Sequence, residues 1–121
     1  MSTIEIANRL VELCRQNNFE QAQKELYAND ATSTEPEGSP GMQSVKGLDK
    51  IIEKGHQFQA MVEELHSSKV DDPLVAANYF SVGSMMDVTL QGMGRIKMEE
   101  IAVYKVKNGK IVSEEFFYDI D

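Results

Sequence analysis

Three features of the sequence predict an α+β domain. Apolar residues recur near a helical spacing of about 3.6 residues as far as Leu65, and the period changes to about 2 from Lys69 onward. An Asn-Gly pair then joins the last two alternating runs. Helices followed by a meander of antiparallel strands place the helices over one face of a sheet. The chain has 121 residues, 41% of them hydrophobic and 26% charged. That fits a single domain over residues 1–121, large enough to bury a core without disulfides or metal.

The first helix is predicted over Thr3 to Gln16, where Ile4, Ala7, Leu10, Val11 and Cys14 fall at helical spacing. Thr3 is the expected N-cap, and Asn17-Asn18 ends the helix. A short second helix carries Phe19, Ala22, Leu26 and Tyr27 on one side. Thr32-Ser33-Thr34 reads as a short strand, and the prolines and glycines of Glu35 to Gly41 as a loop. A third helix is predicted from Leu48 to Leu65 on the stripe Leu48, Ile51, Ile52, Phe58, Val62 and Leu65. Strands follow at Val75 to Leu90 (one strand, or two broken near Gly83), Arg95 to Val106 and Ile111 to Asp119.

The formal net charge of −8 argues against binding to nucleic acid or to an anionic membrane surface. The single cysteine, Cys14, cannot form an internal disulfide and reads as a small apolar side chain. No basic segment followed by an apolar run opens the chain, so the expected location is cytoplasmic. There is no HxH, HExxH or Cys-His spacing and no phosphate-cradling glycine loop, so neither a metal nor another cofactor is expected.

A turn at Asn108-Gly109 sets Val106 opposite Ile111. Regular pairing from there puts Glu99, Ile101 and Val103 on one face with Glu114, Phe116 and Tyr118. The other face receives Glu100, Ala102, Tyr104, Glu115, Phe117 and Asp119. Neither face is plainly polar, so both need covering. Helices cover one, and a second copy of the chain is the expected cover of the other, with Tyr104 and Phe117 in the contact. A one-residue slip of register would exchange the faces.

Three stretches resemble the SnoaL-like, nuclear transport factor 2-like superfamily, which includes ketosteroid isomerases. They are FEQAQKELYANDATSTEP (Phe19 to Pro36), Gly47-Leu48-Asp49-Lys50-Ile51, and EEIAVYKVKNGKIVSEEFFYD (Glu99 to Asp119). The resemblance implies a curved antiparallel sheet wrapped by three helices, a cone-shaped half-barrel with an internal pocket. It places Glu114, Phe116 and Tyr118 in that pocket, and Glu35, before Pro36, where the isomerase keeps its general base. The position of the isomerase's oxyanion-hole acid falls on Ile101, and that of its first-helix tyrosine near Leu10 or Val11. Neither can donate a side-chain hydrogen bond, so ketosteroid isomerisation is not expected. Ile101 and Phe116 likewise stand where an epoxide hydrolase of this fold needs charged groups.

The candidate catalytic residues are therefore Glu35 as base, with Glu114, Glu99 and Tyr118. Carboxylates crowded in a poorly solvated site hold their protons more tightly, which suits them to acid–base work. Phe58, Phe80, Val82, Ile101, Val103, Phe116 and His56 are the candidate ligand-binding residues, in a largely apolar cavity. Three functions stay open at this point. One is a binding domain for a small apolar or amphipathic molecule. Another is a cofactor-independent isomerase, cyclase or hydratase using Glu35. The last is a dimeric interaction module with a vestigial pocket.

Overall fold

The computed structural model describes residues 1–39 and 41–120. Helix α1 spans Thr3–Arg15. Its N-cap is Ser2, one residue earlier than expected, because Ser2 and Glu5 form a reciprocal capping box. Helix α2, Phe19–Leu26, follows a turn at Asn17, whose φ is 60°. Strand β1, Tyr27–Thr34, begins at the tyrosine that helical spacing had assigned to α2. Strand β2 is the short Val45–Lys46. Helix α3 is Leu48–Met61.

The largest departure from the sequence reading comes next. Residues Val62–Val70 form strand β3 rather than the end of α3. Val62 and Leu65, three apart, fit the helical spacing, but Leu65 is exposed, so it never belonged to a buried helical stripe. Pairing with β5 decides the matter: Leu65 lies opposite Val88 and Val70 opposite Ser84. The Met61 carbonyl, at the end of α3, accepts from Gln91 N–H at 2.7 Å. Strand β4, Leu74–Ala76, folds back on β5, Tyr79–Leu90. The break in this run is at Ala77-Asn78, with Ala77 at φ 54°, and β5 is continuous through Gly83. A Cβ there would come within 2.8 Å of the Asp71 carboxylate, so that exposed side chain would have to shift. Strands β6, Gly94–Lys107, and β7, Lys110–Phe117, complete the domain.

The strand order is β2-β1-β7-β6-β5-β3, with β4 on β5. The pairings are antiparallel except that β1 runs parallel to β7, so the curved sheet is mixed rather than purely antiparallel. Helices α1, α2 and α3 cover its inner face. The core joins Ile6, Leu10 and Leu13 of α1, Leu26 of α2 and Ile51 of α3 to Phe80, Val82, Ala102, Tyr104 and Ile111 of the sheet. Among the described residues no helix is long and apolar enough to cross a membrane.

The hairpin of β6 and β7 turns at Asn108-Gly109, both with positive φ as a tight turn of this kind requires. Val106 opposes Ile111 as expected. The next pair is Lys105 with Ser113, so β7 carries one extra residue, Val112, in a β-bulge. From there Tyr104 opposes Glu114, Ala102 opposes Phe116 and Ile101 opposes Phe117. The bulge corrects the expected faces of β6. Ala102, Tyr104 and Glu100 share the inner face with Glu114 and Phe116, and Glu99, Ile101 and Val103 face out. Tyr104 is buried and stacks on Phe80, with ring centroids 4.7 Å apart, so it cannot join a contact on the outer face.

Candidate functional site

The inner face collects polar groups at one end. Ser33 lies on β1, and Glu35 one residue beyond that strand; Lys54 comes from α3, Glu100 from β6, and Glu114 from β7, with Tyr118 just after it. Parallel pairing sets Ser33 directly beside Glu114. Pro36 holds the backbone of Glu35 extended, and the Glu35 N–H donates to Ser44 Oγ at 2.9 Å.

Glu35 is buried, and both its oxygens are engaged. Oε2 accepts from Lys54 Nζ at 2.7 Å, and Oε1 accepts from the Tyr118 hydroxyl at 2.6 Å. The Lys54 ammonium donates twice more, to Ser33 Oγ at 2.7 Å and to the Gln43 carbonyl at 3.2 Å. Its three protons are thus committed. The same ammonium stands 5.5 Å from the centre of the Phe116 ring. Tyr118 also shares a hydrogen bond with the Ser39 hydroxyl. Burial raises the Tyr118 hydroxyl to about 12, and Glu35 beside it acts the same way.

Glu114 is buried and accepts from the Tyr27 hydroxyl. Burial raises its carboxyl above the ordinary carboxylate value, partly offset by the Tyr27 and Ser33 hydroxyls. Glu100 is only half-buried. Burial pushes its carboxyl up to about 7, with Glu35 and Glu114 adding to the rise and Lys54 opposing it. Three inward carboxylates therefore surround one lysine, and that lysine is paired with Glu35.

The structure thus brings Glu35, Glu114 and Tyr118 together, with Phe116 beside them. Phe80 and Val82 face inward but lie in the solid core. Phe58 is half-buried on α3, one turn beyond Lys54. The other candidates are not in this group. Glu99 is exposed on the outer face near Lys97, and Ile101 and Val103 lie on the same face. His56 is at the surface, where its Nε2 meets the Glu20 carboxylate of α2. Arg95, at the start of β6, pairs with Asp87 on β5. Cys14 packs against the core, and burial lifts its thiol to about 12, which removes it as a nucleophile.

Sequence reasoning missed Lys54, Glu100 and Tyr27. Lys54 sits at i+3 from buried Ile51, so the helical stripe itself pointed to it as an inward cation. Glu100 was assigned to the wrong face by the unseen bulge. Tyr27 was hidden by its assignment to α2.

The SnoaL-like domain family matches residues 1–118. A candidate SnoaL-like polyketide cyclase from Mesorhizobium loti is 34% identical, with a TM-score of 0.90 over 98% of this chain and 100% of its own. An NTF2-like protein from Burkholderia thailandensis is 19% identical, with a TM-score of 0.85 over 99% of this chain and 92% of its own. A protein of ketosteroid isomerase-like fold from Catenulispora acidiphila, crystallised in complex with trimethylamine, is 16% identical. Its TM-score is 0.71, over 96% of this chain and 86% of its own. No curated protein matches the chain.

Proposed function

The chain belongs to the SnoaL-like family, and from that premise we propose that it binds a small apolar or amphipathic organic molecule in the cone, polar end toward Glu100 and Tyr118. The observation that carries the reading is the inward cluster of Lys54, Glu35, Glu114 and Tyr118. A buried ion pair adds little stability over apolar packing of the same volume. A domain whose inner face needed only to be filled would gain by replacing these groups with leucine or methionine. Half-buried Glu100 and the Phe116 ring give the cluster a mixed polar and apolar edge, the pattern of a small-molecule site. That the Catenulispora protein of the same fold was crystallised in complex with trimethylamine agrees with small-molecule binding on this fold.

Nile red tests the reading. Its fluorescence is expected to rise on mixing with the native protein, and Ala102→Trp, which fills the inner face beside Phe116, is expected to abolish most of the rise. No rise, or an equal rise with a folded A102W variant, overturns it. Native mass spectrometry of protein taken directly from cells then gives the mass of any retained ligand.

The enzyme reading is favoured by half-buried Glu100 on the inner side of β6: burial, with Glu35 and Glu114 near it, raises its carboxyl to about 7, matched to proton transfer near neutral pH. The site's acid–base capacity then rests on Glu100, while Glu35 holds Lys54 and Tyr118 in place.

The outer sheet face supports a homodimer. Ile101 and Phe117 are direct cross-strand neighbours there, and each is about half exposed. Gly83, opposite Ile101 on β5, adds no side chain beside them, and the Asp71 carboxylate lies over it. A second copy covering this face would bury both side chains. Sedimentation at micromolar concentration is expected to give a dimer, and Phe117→Asp a monomer of unchanged fold. A monomeric parent chain rules the assembly out.

A further inference from the structure

We propose that Glu100, and not Glu35, is the group that takes a proton from the bound molecule; this rests on the binding reading above. The two carboxylates differ in what already holds them. Glu35 has one oxygen on Lys54 and the other on Tyr118, and its backbone N–H is tied to Ser44. It is 8% exposed. It fixes the position of Lys54 and of the segment after β7. Glu114, the third carboxylate, lies deeper and accepts from Tyr27.

Glu100 stands at the open edge of the same cluster. It pairs across the sheet with Ser84 of β5, an uncharged neighbour. By the corrected register it shares the inward side of β6 with Ala102 and Tyr104. No cation lies within ion-pairing distance of it among the described residues, since Lys54 is spent on Glu35. The titratable groups that face it are Glu35 on the segment after β1, Lys54 on α3, and Glu114 and Tyr118 on and after β7. Tyr104 lies farther in on its own strand. Each neighbouring carboxylate disfavours a second negative charge, which makes the Glu100 carboxylate a stronger base once formed. Partial exposure lets a ligand reach it and lets water remove the proton afterwards.

A nitrobenzisoxazole is a suitable probe, because its ring opening needs one base and nothing else. Glu100 removes the ring C–H proton, the C–H electron pair forms the nitrile, and the N–O bond breaks to release a coloured phenolate. Glu100 then loses the proton to water.

Native protein is expected to open the probe with saturation, at a rate that rises with pH through about 7. Glu100→Gln should lower that rate by about 10²-fold or more, with the concentration for half-saturation little changed. Glu99→Gln, the outward neighbour on the same strand, should leave rate and profile as they are. Infrared titration reads the group without any probe: a protonated carboxyl band should disappear near neutral pH in the native protein and be missing in E100Q. A near-neutral titration whose amplitude E100Q leaves undiminished overturns the assignment. So does saturable opening that E100Q leaves intact. A failure of the binding reading looks different: the probe then shows no saturation with any variant, and the role falls with the site.

Discussion

Lys54→Met should lower the unfolding free energy by about 3–5 kcal/mol, the usual result of leaving one partner of a buried ion pair behind. The side chains of Lys54 and Glu35 are 11% and 4% exposed, so water cannot take the place of the lost ammonium. Ser33 Oγ and the Gln43 carbonyl lose a donor in the same step. Glu35→Gln in the K54M background removes the stranded charge and should recover much of the loss. Urea unfolding of the four proteins gives the coupling between the two sites. A K54M variant within about 1 kcal/mol of the parent would mean that the pair is more hydrated than its burial indicates.

The second large effect is one of pH. The Glu100 carboxyl is raised in the folded chain from its ordinary 4.5 to about 7. The folded state thus holds this proton more tightly than the unfolded state does. The associated stability is fully present below about 4.5 and is lost as pH rises through about 7. Glu114, also raised, acts in the same direction. The native chain should therefore be less stable at pH 8 than at pH 5 as far as these groups decide it. Glu100→Gln keeps the shape without the charge. It should be close to neutral at pH 5 and stabilising at pH 8 by on the order of 3 kcal/mol. Thermal melts of both proteins at the two pH values check this. An equal difference between them at both would show that Glu100 titrates as it does in the unfolded chain.

Much of the fold was readable from the residues, for identifiable reasons. Strong local signals decided α1, α2 and the last hairpin: helical spacing, a capping residue and the Asn-Gly turn. Strand β3 was not readable, because an edge strand with one neighbour carries little apolar pattern of its own, and Val62 and Leu65, three apart, extended the helical spacing. The site was half readable. Alternation on β7 grouped Glu114, Phe116 and Tyr118 on one face, and the family resemblance turned that face inward and marked Glu35 before Pro36. Their partners were not legible in the same way. Lys54 meets Glu35 only through the packing of α3 on β1, a contact across 19 residues of sequence. Glu100 depended on a register that regular pairing does not give.

That register has a consequence for how this hairpin varies among related chains. Val112 works as a phase change: before it, β7 keeps step with β6 as a simple alternation would, and after it the two strands are one residue out. A chain with these same residues paired to β6 without the bulge would present Glu115 and Phe117 to the interior and turn Glu114, Phe116 and Tyr118 to the outside. Its inner and outer sheet faces would trade chemistry with no change of side-chain type anywhere. A comparison that runs through this hairpin without a gap would then match interior residues to exterior ones, and chains with quite different interiors would look alike on paper.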